Sequence, residues 1–147
     1  MADRTRGYAH RIDIDADSTR VWRALTEPAL LVRWCARGTT IKPGENGSFF
    51  APFEGGYQLD AHIDVFLPGR RLRLVHMPAP GLPDADSVIV DDFLIEGNGP
   101  SIVRLLGSGF PEGGEWDNVY RQLRRSWERA LARLKVLLEK KLDQEGT

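Results

Sequence analysis

The C-terminal part of the chain carries the pattern that decides the fold, 113-GGEWDNVYRQLRRSWERALARLKVLLEKK-141. Its apolar residues recur every three or four positions: Trp116, Tyr120, Leu123, Trp127, Ala130, Leu134, Leu137 and Leu138. This spacing is typical of an α-helix with one apolar face. A helix of about 27 residues is roughly 40 Å long. Aromatic residues at its front and aliphatic residues behind them indicate that the helix covers a large apolar surface.

The middle of the chain reads as short strands separated by turns. Turn signals occur at Pro43-Gly44, Asn46-Gly47, Gly55-Gly56 and Pro68-Gly69. Two predicted strands show the alternation of a half-buried sheet, with inward residues Tyr57, Leu59, Ala61, Ile63 and Val65 on one and Leu72, Leu74 and His76 on the next. Further strands are predicted over residues 87–96 and 101–110. Because the connections are short, neighbouring strands should run antiparallel.

The N-terminal part predicts one strand followed by two short helices. Ile12 and Ile14 alternate with charged residues, which favours a strand. Asp17 or Ser18 is a suitable N-cap for the first helix, and Pro28 stops that helix or opens the second. The order of elements predicts an α+β fold in two layers. We expect residues 1–147 to form a single domain.

Composition excludes several classes of protein. The chain has 147 residues, of which 41% are hydrophobic and 28% charged, with a net charge of -1. No stretch approaches the roughly 20 apolar residues that a membrane span needs, and no apolar run indicates a signal peptide. The lone Cys35 excludes an internal disulfide, so we expect a cytoplasmic protein.

The predicted C-terminal helix is basic. Residues 121–141 contain eight basic and two acidic residues, a net charge of +6 that leaves -7 for the rest of the chain. A basic amphipathic helix can bind nucleic acid or an anionic membrane. The acidic remainder would repel a polyanion. We therefore expect a solvated back face, with no nucleic-acid partner.

The local sequence words together resemble the SRPBCC (START-like) superfamily. They are "TEPALLVRW" after the first strand, a Pro-Gly hairpin, "GF" before the last helix, and the helix "WDNVYRQLRRSWERALARLKVLLE". Within the superfamily, residues from Arg11 to Glu139 are most similar to the family of the C-terminal domain of the activator of Hsp90 ATPase. The resemblance implies a helix-grip fold, in which a curved antiparallel sheet of about six strands wraps around the long C-terminal helix. It also implies a cavity between the two, which holds hydrophobic small molecules in some members and serves cyclase or aromatase-like enzymes in others.

The chain departs from the family pattern at several positions. Cys35 follows Trp34, where a second aromatic residue is common, and Glu45-Asn46 interrupts the usual Pro-Gly-Gly hairpin. Gly107 stands where the strand before "GF" often carries an inward histidine. The eukaryotic activator has an additional N-terminal domain with no counterpart in this sequence. An Hsp90-type chaperone partner is therefore not favoured.

The resemblance and the aromatic spacing together predict a binding site for a small hydrophobic or aromatic molecule. Its predicted residues are Trp34, Tyr57, His76, Trp116, Tyr120, Leu123 and Trp127. Among the three histidines, His76 is the best candidate for a polar group inside the cavity, and a hydrogen-bonded core or rim histidine is the alternative. We expect His62 on a solvated strand face and His10 near a flexible start. No metal, cofactor or catalytic residue is assigned.

Two alternatives to simple binding stay open at this stage. One is a cyclase or dehydratase that uses Tyr57 or His76 as an acid–base group in the same cavity. The other is an interaction protein that resembles a co-chaperone. The segment 88-VIVDDFLIE-96 is apolar at both strand parities, which predicts either a homodimer that covers the outer face or a register slip at Asp91-Asp92.

Overall fold

A computed structural model describes residues 4–53, 57–79 and 81–145, with side chains described as far as Lys140. It contains seven strands and three helices. The strands are β1 (Thr5–Ile14), β2 (Thr40–Lys42), β3 (Ser48–Pro52), β4 (Gln58–Leu67), β5 (Arg71–His76), β6 (Val90–Gly97) and β7 (Ser101–Pro111). The helices are α1 (Ser18–Thr26), α2 (Pro28–Trp34) and α3 (Trp116–Glu145).

The strands form one curved antiparallel sheet in the order β1-β7-β6-β5-β4-β3-β2. This order places β1 at one edge and the short β2 at the other. Helix α3 packs on the sheet, and α1 and α2 contribute to the same hydrophobic core. The predicted α+β helix-grip fold is confirmed, with seven strands where about six were expected.

Strand β1 begins earlier than the sequence pattern indicated. It pairs with β7 from Thr5 opposite Pro111 to Ile14 opposite Ser101. His10, which was expected near a flexible start, lies instead in the middle of β1 opposite Leu105. That expectation was wrong because strand alternation continues upstream of Ile12 through the buried Tyr8.

The helical start of the core follows the predicted local rules. The Asp17 side chain accepts a hydrogen bond from the Arg20 backbone N–H at 2.8 Å and caps α1. Pro28 opens α2 at its first turn. The indole N–H of Trp34 donates to the carbonyl of Ala24 at 2.8 Å, so the end of α2 is tied to α1.

A bulge changes the inward face of β4. Its pairing with β5 shifts between Ile63 and Val65. As a result, Phe66 packs against the core in place of the expected Val65, and its ring lies 5.0 Å from Trp22. The alternation rule fails here because the bulge inserts one residue into the period of two.

Strand β6 resolves the ambiguous apolar segment. Its register with β7 is unbroken from Val90 to Gly97, so the predicted slip at Asp91-Asp92 does not occur. Asp91, Phe93 and Ile95 are buried at alternate positions. The phase therefore places an acidic side chain inside the core.

Helix α3 buries a continuous stripe on the sheet. The stripe comprises Trp116, Val119, Leu123, Trp127, Ala130, Leu131, Leu134 and Leu138. Burial of each large apolar side chain contributes about 1.5–3 kcal/mol, so this contact supplies much of the stabilisation. The opposite face, which includes Arg121, Arg125 and Val136, is exposed.

Side chains of α3 also bind the backbone of its neighbours. Tyr120 donates its hydroxyl proton to the carbonyl of Gly7 at 2.6 Å. Further along the helix, Lys135 donates to the carbonyl of Asp13. Both acceptors lie on the edge strand β1, so α3 is held to that edge at two points.

Gly107 leaves the space that the Tyr8 ring occupies. A Cβ atom at this position would meet the Tyr8 ring carbons Cε1 and Cζ at 2.5 Å. The backbone angle of Gly107 is not among the positive values in the chain, so the constraint there is space and not backbone strain. The Tyr8 ring therefore fills the space that a side chain at position 107 would need.

We predict that Gly107→Ala lowers the free energy of unfolding by about 1–3 kcal/mol, because the buried tyrosine ring must move. Urea denaturation measures the change. The neighbouring exposed Ser108→Ala is the control and should stay within about 0.5 kcal/mol of the wild type. In a Tyr8→Ala background the Gly107→Ala penalty should shrink, and an undiminished penalty there contradicts the steric explanation.

Candidate functional site

An aromatic group surrounds Phe110, the phenylalanine of the "GF" word at the end of β7. Its ring centroid lies 5.3 Å from Tyr8, 5.6 Å from Tyr120 and 5.8 Å from His76. Trp116 lies further off, at 6.4 Å. We call these five residues the front cluster. It joins β1, β5, β7 and the first turns of α3.

A second aromatic group surrounds Trp127 in the middle of α3. Its ring meets Phe53 at 5.0 Å and Phe93 at 5.3 Å, both nearly edge to face. Edge-to-face pairs of this kind add stabilisation beyond burial of apolar area. We call these three residues the central cluster. Helix α3 and the inner face of the sheet therefore meet through aromatic rings along half the helix.

A buried polar chain runs beside the front cluster. Asp91 is fully buried, and its carboxylate accepts a hydrogen bond from the Tyr8 hydroxyl at 2.5 Å. The other carboxylate oxygen lies 2.6 Å from Nε2 of His76. An unpaired carboxylate would be very unfavourable in the core, and these two partners compensate for its burial.

Burial and hydrogen bonding act on the Tyr8 phenol. Burial, followed by the negative charge of Asp91, raises the pKa of Tyr8 well above its ordinary value of 10.0. The hydroxyl therefore stays protonated and acts as a donor to Asp91. A carboxylate can only accept hydrogen bonds, so we assign the donor in the contact with Asp91 to Nε2–H of His76.

Two buried polar atoms beside these clusters have no hydrogen-bond partner among the described residues. They are Nδ1 of His76 and the indole N–H of Trp127. The indole lies close to the Tyr8 hydroxyl, but without the geometry of a hydrogen bond. A buried polar atom without a partner is costly, so a ligand with a complementary polar group would be stabilised here.

The structure brings together most of the residues predicted for the site. His76, Trp116 and Tyr120 belong to the front cluster and Trp127 to the central cluster. Leu123 lies on α3 between them and is buried. Trp116, Leu123 and Trp127 belong to the hydrophobic core, and Tyr120 and His76 pack beside it, which does not test whether any of the five binds a ligand.

The other two predicted residues, Tyr57 and Trp34, stack on no aromatic ring of either cluster among the described residues. The Tyr57 hydroxyl accepts a hydrogen bond from Asn118 at 2.5 Å, at the exposed side of α3. Trp34 is buried at the end of α2, and its N–H is used by Ala24. Each therefore has a structural partner of its own.

Sequence reasoning missed several residues that build the site. Tyr8 was not considered because the first strand was begun too late, and Asp91 was interpreted as the mark of a register slip. A signal for Asp91 was present in its phase, since Ile89, Phe93 and Ile95 have the same parity. An acidic residue on the buried phase needs a partner, and His76 was already known to share the inward side of its strand.

Two grooves flank α3. The first, of about 550 Å³, lies between β1 and α3 and is lined by residues that include His10, Arg124 and Glu128. Burial lowers the pKa of His10, while the Glu128 carboxylate acts in the opposite direction. The second groove, of about 400 Å³, lies between α2, the end of β3 and the other flank of α3.

The described part of the chain gives little support for a metal site or a reactive cysteine. No group of three or more potential metal-ligating side chains occurs among the described residues. Cys35 is buried, and burial raises the pKa of its thiol to about 12, which disfavours the reactive thiolate. His62 is exposed, and its Nδ1 lies 3.4 Å from the sulfur of Met77. Among the described helices, none combines the length and the apolar character that a membrane crossing demands.

We predict that Tyr8 does not ionise while the protein is folded. Because its folded pKa is raised, its contribution to stability is fully present below pH ~10 and is lost as pH rises through the folded value. Tyrosinate absorbance measured for the wild type and for Tyr8→Phe isolates this residue by difference. The difference should stay flat until alkaline unfolding, and a step near pH ~10 in folded protein contradicts the hydrogen-bonded arrangement.

Comparisons with known structures show the same architecture. A crystal structure of a protein from Mesorhizobium loti is 24% identical, covers 92% of this chain and 98% of its own, and has a TM-score of 0.77. The Aha1 dimer from Colwellia psychrerythraea, solved in solution, is 22% identical over 91% of this chain and 96% of its own, with a TM-score of 0.75. CalU16 from Micromonospora echinospora is 22% identical over 90% of this chain and 74% of its own, with a TM-score of 0.70.

No curated protein matches the chain. The sequence model of one family, described as Activator of Hsp90 ATPase homolog 1-like protein, matches residues 15–139. That range begins directly after β1 and runs through most of α3, so it includes every described strand that follows β1. The chain therefore belongs to the family of Activator of Hsp90 ATPase homolog 1-like proteins.

Proposed function

We propose that this protein binds a small hydrophobic or aromatic molecule between the sheet and α3. The observation that carries the proposal is a pair of buried polar atoms beside aromatic walls, Nδ1 of His76 and the N–H of Trp127, which find no hydrogen-bond partner among the described residues. Binding sites for small molecules combine apolar walls with a few polar groups that orient the ligand. The front and central clusters supply the walls, and these two atoms supply the polar groups.

The proposal assigns the ligand contacts to two sets of residues. His76, Trp116, Tyr120, Leu123 and Trp127 lie in or beside the core between the sheet and α3 and would contact the body of the ligand. Tyr57 and Trp34 would stand at its rim, because each is tied to a neighbouring element by its own hydrogen bond. An aromatic ligand would pack edge to face with Trp127 as Phe53 and Phe93 do.

The test uses N-phenyl-1-naphthylamine, a neutral aromatic probe whose fluorescence rises in apolar surroundings. We expect it to bind the wild type, and Trp127→Phe to weaken binding about tenfold, which corresponds to ~1.4 kcal/mol. The substitution keeps an aromatic ring but removes the indole N–H and part of the contact area.

Trp22→Phe is the matched control, because Trp22 packs on Phe66 outside both clusters. Its affinity for the probe should equal that of the wild type. Thermal unfolding of both variants checks that each is folded. Equal affinities of the wild type and a folded Trp127→Phe variant contradict the assigned site.

The polar chain of Tyr8, Asp91 and His76 favours a second candidate function, an enzyme that performs acid–base chemistry in the same place. Asp91 holds the His76 ring at 2.6 Å, which leaves Nδ1 free to accept a proton. A cyclase or dehydratase needs a base of this kind beside an apolar substrate. His76→Gln should abolish any detected turnover, whereas His62→Gln on the exposed face should retain it.

The orientation of His76 gives a readout that does not require a substrate. We predict that long-range nitrogen–proton NMR finds Nε2 protonated and Nδ1 unprotonated in the neutral ring, because Asp91 accepts the Nε2 proton. The Asp91→Asn variant should weaken this preference, since an amide is a poorer acceptor. A proton on Nδ1 in the wild type contradicts the polar chain as a base-orienting device.

We also propose that the chain acts as a single START-like domain in the cytoplasm and pairs as a homodimer. Leu106 on the outer face of the sheet is 40% exposed, beside Ala9 and Asp92 on the neighbouring strands. A second copy could cover it. A native mass spectrum of the purified protein tests the dimer, and the same spectrum reveals a ligand as excess mass that is lost on denaturation.

A further inference from the structure

The groove between α2 and α3 has a chemical character unlike the rest of the surface. Its volume is about 400 Å³, and its lining includes the arginines Arg33, Arg37, Arg129 and Arg133. No acidic residue is among the described residues that line it. Because the whole chain has a net charge of -1, this concentration of positive charge is a local feature.

Among the described residues, no carboxylate forms an ion pair with any of these four arginines. Arg133 instead donates to the carbonyls of Trp34 and Cys35 at 2.9 and 3.0 Å, at the end of α2. That arrangement fixes the Arg133 guanidinium beside the groove, while no ion pair within the described part of the chain uses Arg33, Arg37 or Arg129. Like charges gathered in one place repel, and a bound anion relieves that repulsion.

The floor of the groove is apolar and continuous with the proposed binding site. Trp34 and Phe53 line it and are both buried. Phe53 also packs against Trp127 at 5.0 Å in the central cluster. Phe53 therefore connects the two regions, because it lines the cationic groove and also contacts Trp127 in the core.

The groove on the other flank of α3 lacks this combination. Its lining contains the basic Arg11 and Arg124 together with the acidic Glu128. Its charge is mixed, and its residues do not include a member of the central cluster. An excess of positive charge therefore distinguishes the flank of α3 that faces α2 from the flank that faces β1.

We infer that the ligand is an anionic amphiphile that binds with its head group on the arginines of the groove between α2 and α3 and its apolar body toward Phe53 and Trp127. This inference rests on the proposed function and adds the charge of the ligand to it. Guanidinium groups bind carboxylate, sulfonate and phosphate oxygens through paired, charge-assisted hydrogen bonds. An apolar body joined to such a head group matches both parts of the groove.

The experiment compares two probes that differ in one charged group. 8-Anilinonaphthalene-1-sulfonate has the ring system of N-phenyl-1-naphthylamine with a sulfonate added. The inference predicts that the sulfonate probe binds the wild type at least about tenfold more tightly than the neutral probe, and that added salt reduces this advantage. In Arg37→Ser/Arg129→Ser the advantage should fall to about threefold or less, with the neutral probe unaffected.

Arg121→Ser/Arg125→Ser is the charge-matched control on the exposed face of α3. It removes the same charge from outside the groove and should leave both affinities near those of the wild type. Arg133 is kept in every variant, because it holds the end of α2. Thermal unfolding confirms that each variant is folded.

The outcomes separate this inference from the proposed function. If the neutral probe binds but the sulfonate probe binds no more tightly, the anionic site is overturned while the apolar site stands. The same conclusion follows if the groove variant and the control variant lower the advantage of the sulfonate probe equally. If neither probe binds, both are overturned. If phosphatidylglycerol vesicles capture the protein through Arg37 and Arg129 while the probes show no preference, the positive groove serves a membrane surface, and the inference of a small ligand is overturned.

Discussion

The contact between the apolar stripe of α3 and the inner face of the sheet is the interaction on which the rest of the structure depends. Neither layer can bury its apolar side alone, so the curvature of the sheet and the length of the helix are matched to one another. Aromatic rings occupy the front half of this contact, and smaller aliphatic side chains such as Ala130 and Leu134 occupy the rear. The side chains that fill this contact are therefore larger at the front of α3 than at its rear.

The order of the strands explains how a carboxylate can be buried in the core. Asp91 on β6 is tolerated inside because two side chains hydrogen-bond to it. His76 comes from the adjacent strand β5, and Tyr8 comes from β1 on the far side of β7. Tyr8 reaches it across β7, where Gly107 has no side chain to block the ring. A glycine on one strand thus permits a tyrosine on a second strand to satisfy a carboxylate on a third. The site is a property of the sheet as a whole and not of any short motif.

This dependence explains what the sequence could and could not predict. The periods of 3.6 and 2, the Asp17 cap and Pro28 at the start of α2 are local signals, and they predicted the element order and most of the buried faces. Tyr8 and Asp91 are 83 positions apart in the chain, and their pairing depends on the strand order, which local patterns do not contain. The β4 bulge was missed for a similar reason, because Ile63 and Val65 obey the alternation in sequence but not in space. The basic groove was missed because its arginines come from α2, from the turn that follows it and from α3, and each set alone resembles a solvated face.

The two ties from α3 to β1 have a consequence for how this protein behaves at high concentration. An edge strand of ten residues presents unpaired backbone groups that can recruit a strand from another molecule. Tyr120 and Lys135 occupy the carbonyls of Gly7 and Asp13 near the two ends of that strand. The charged Arg11 stands exposed between them. Two of the carbonyl groups that this strand could offer to another molecule are therefore already used by α3.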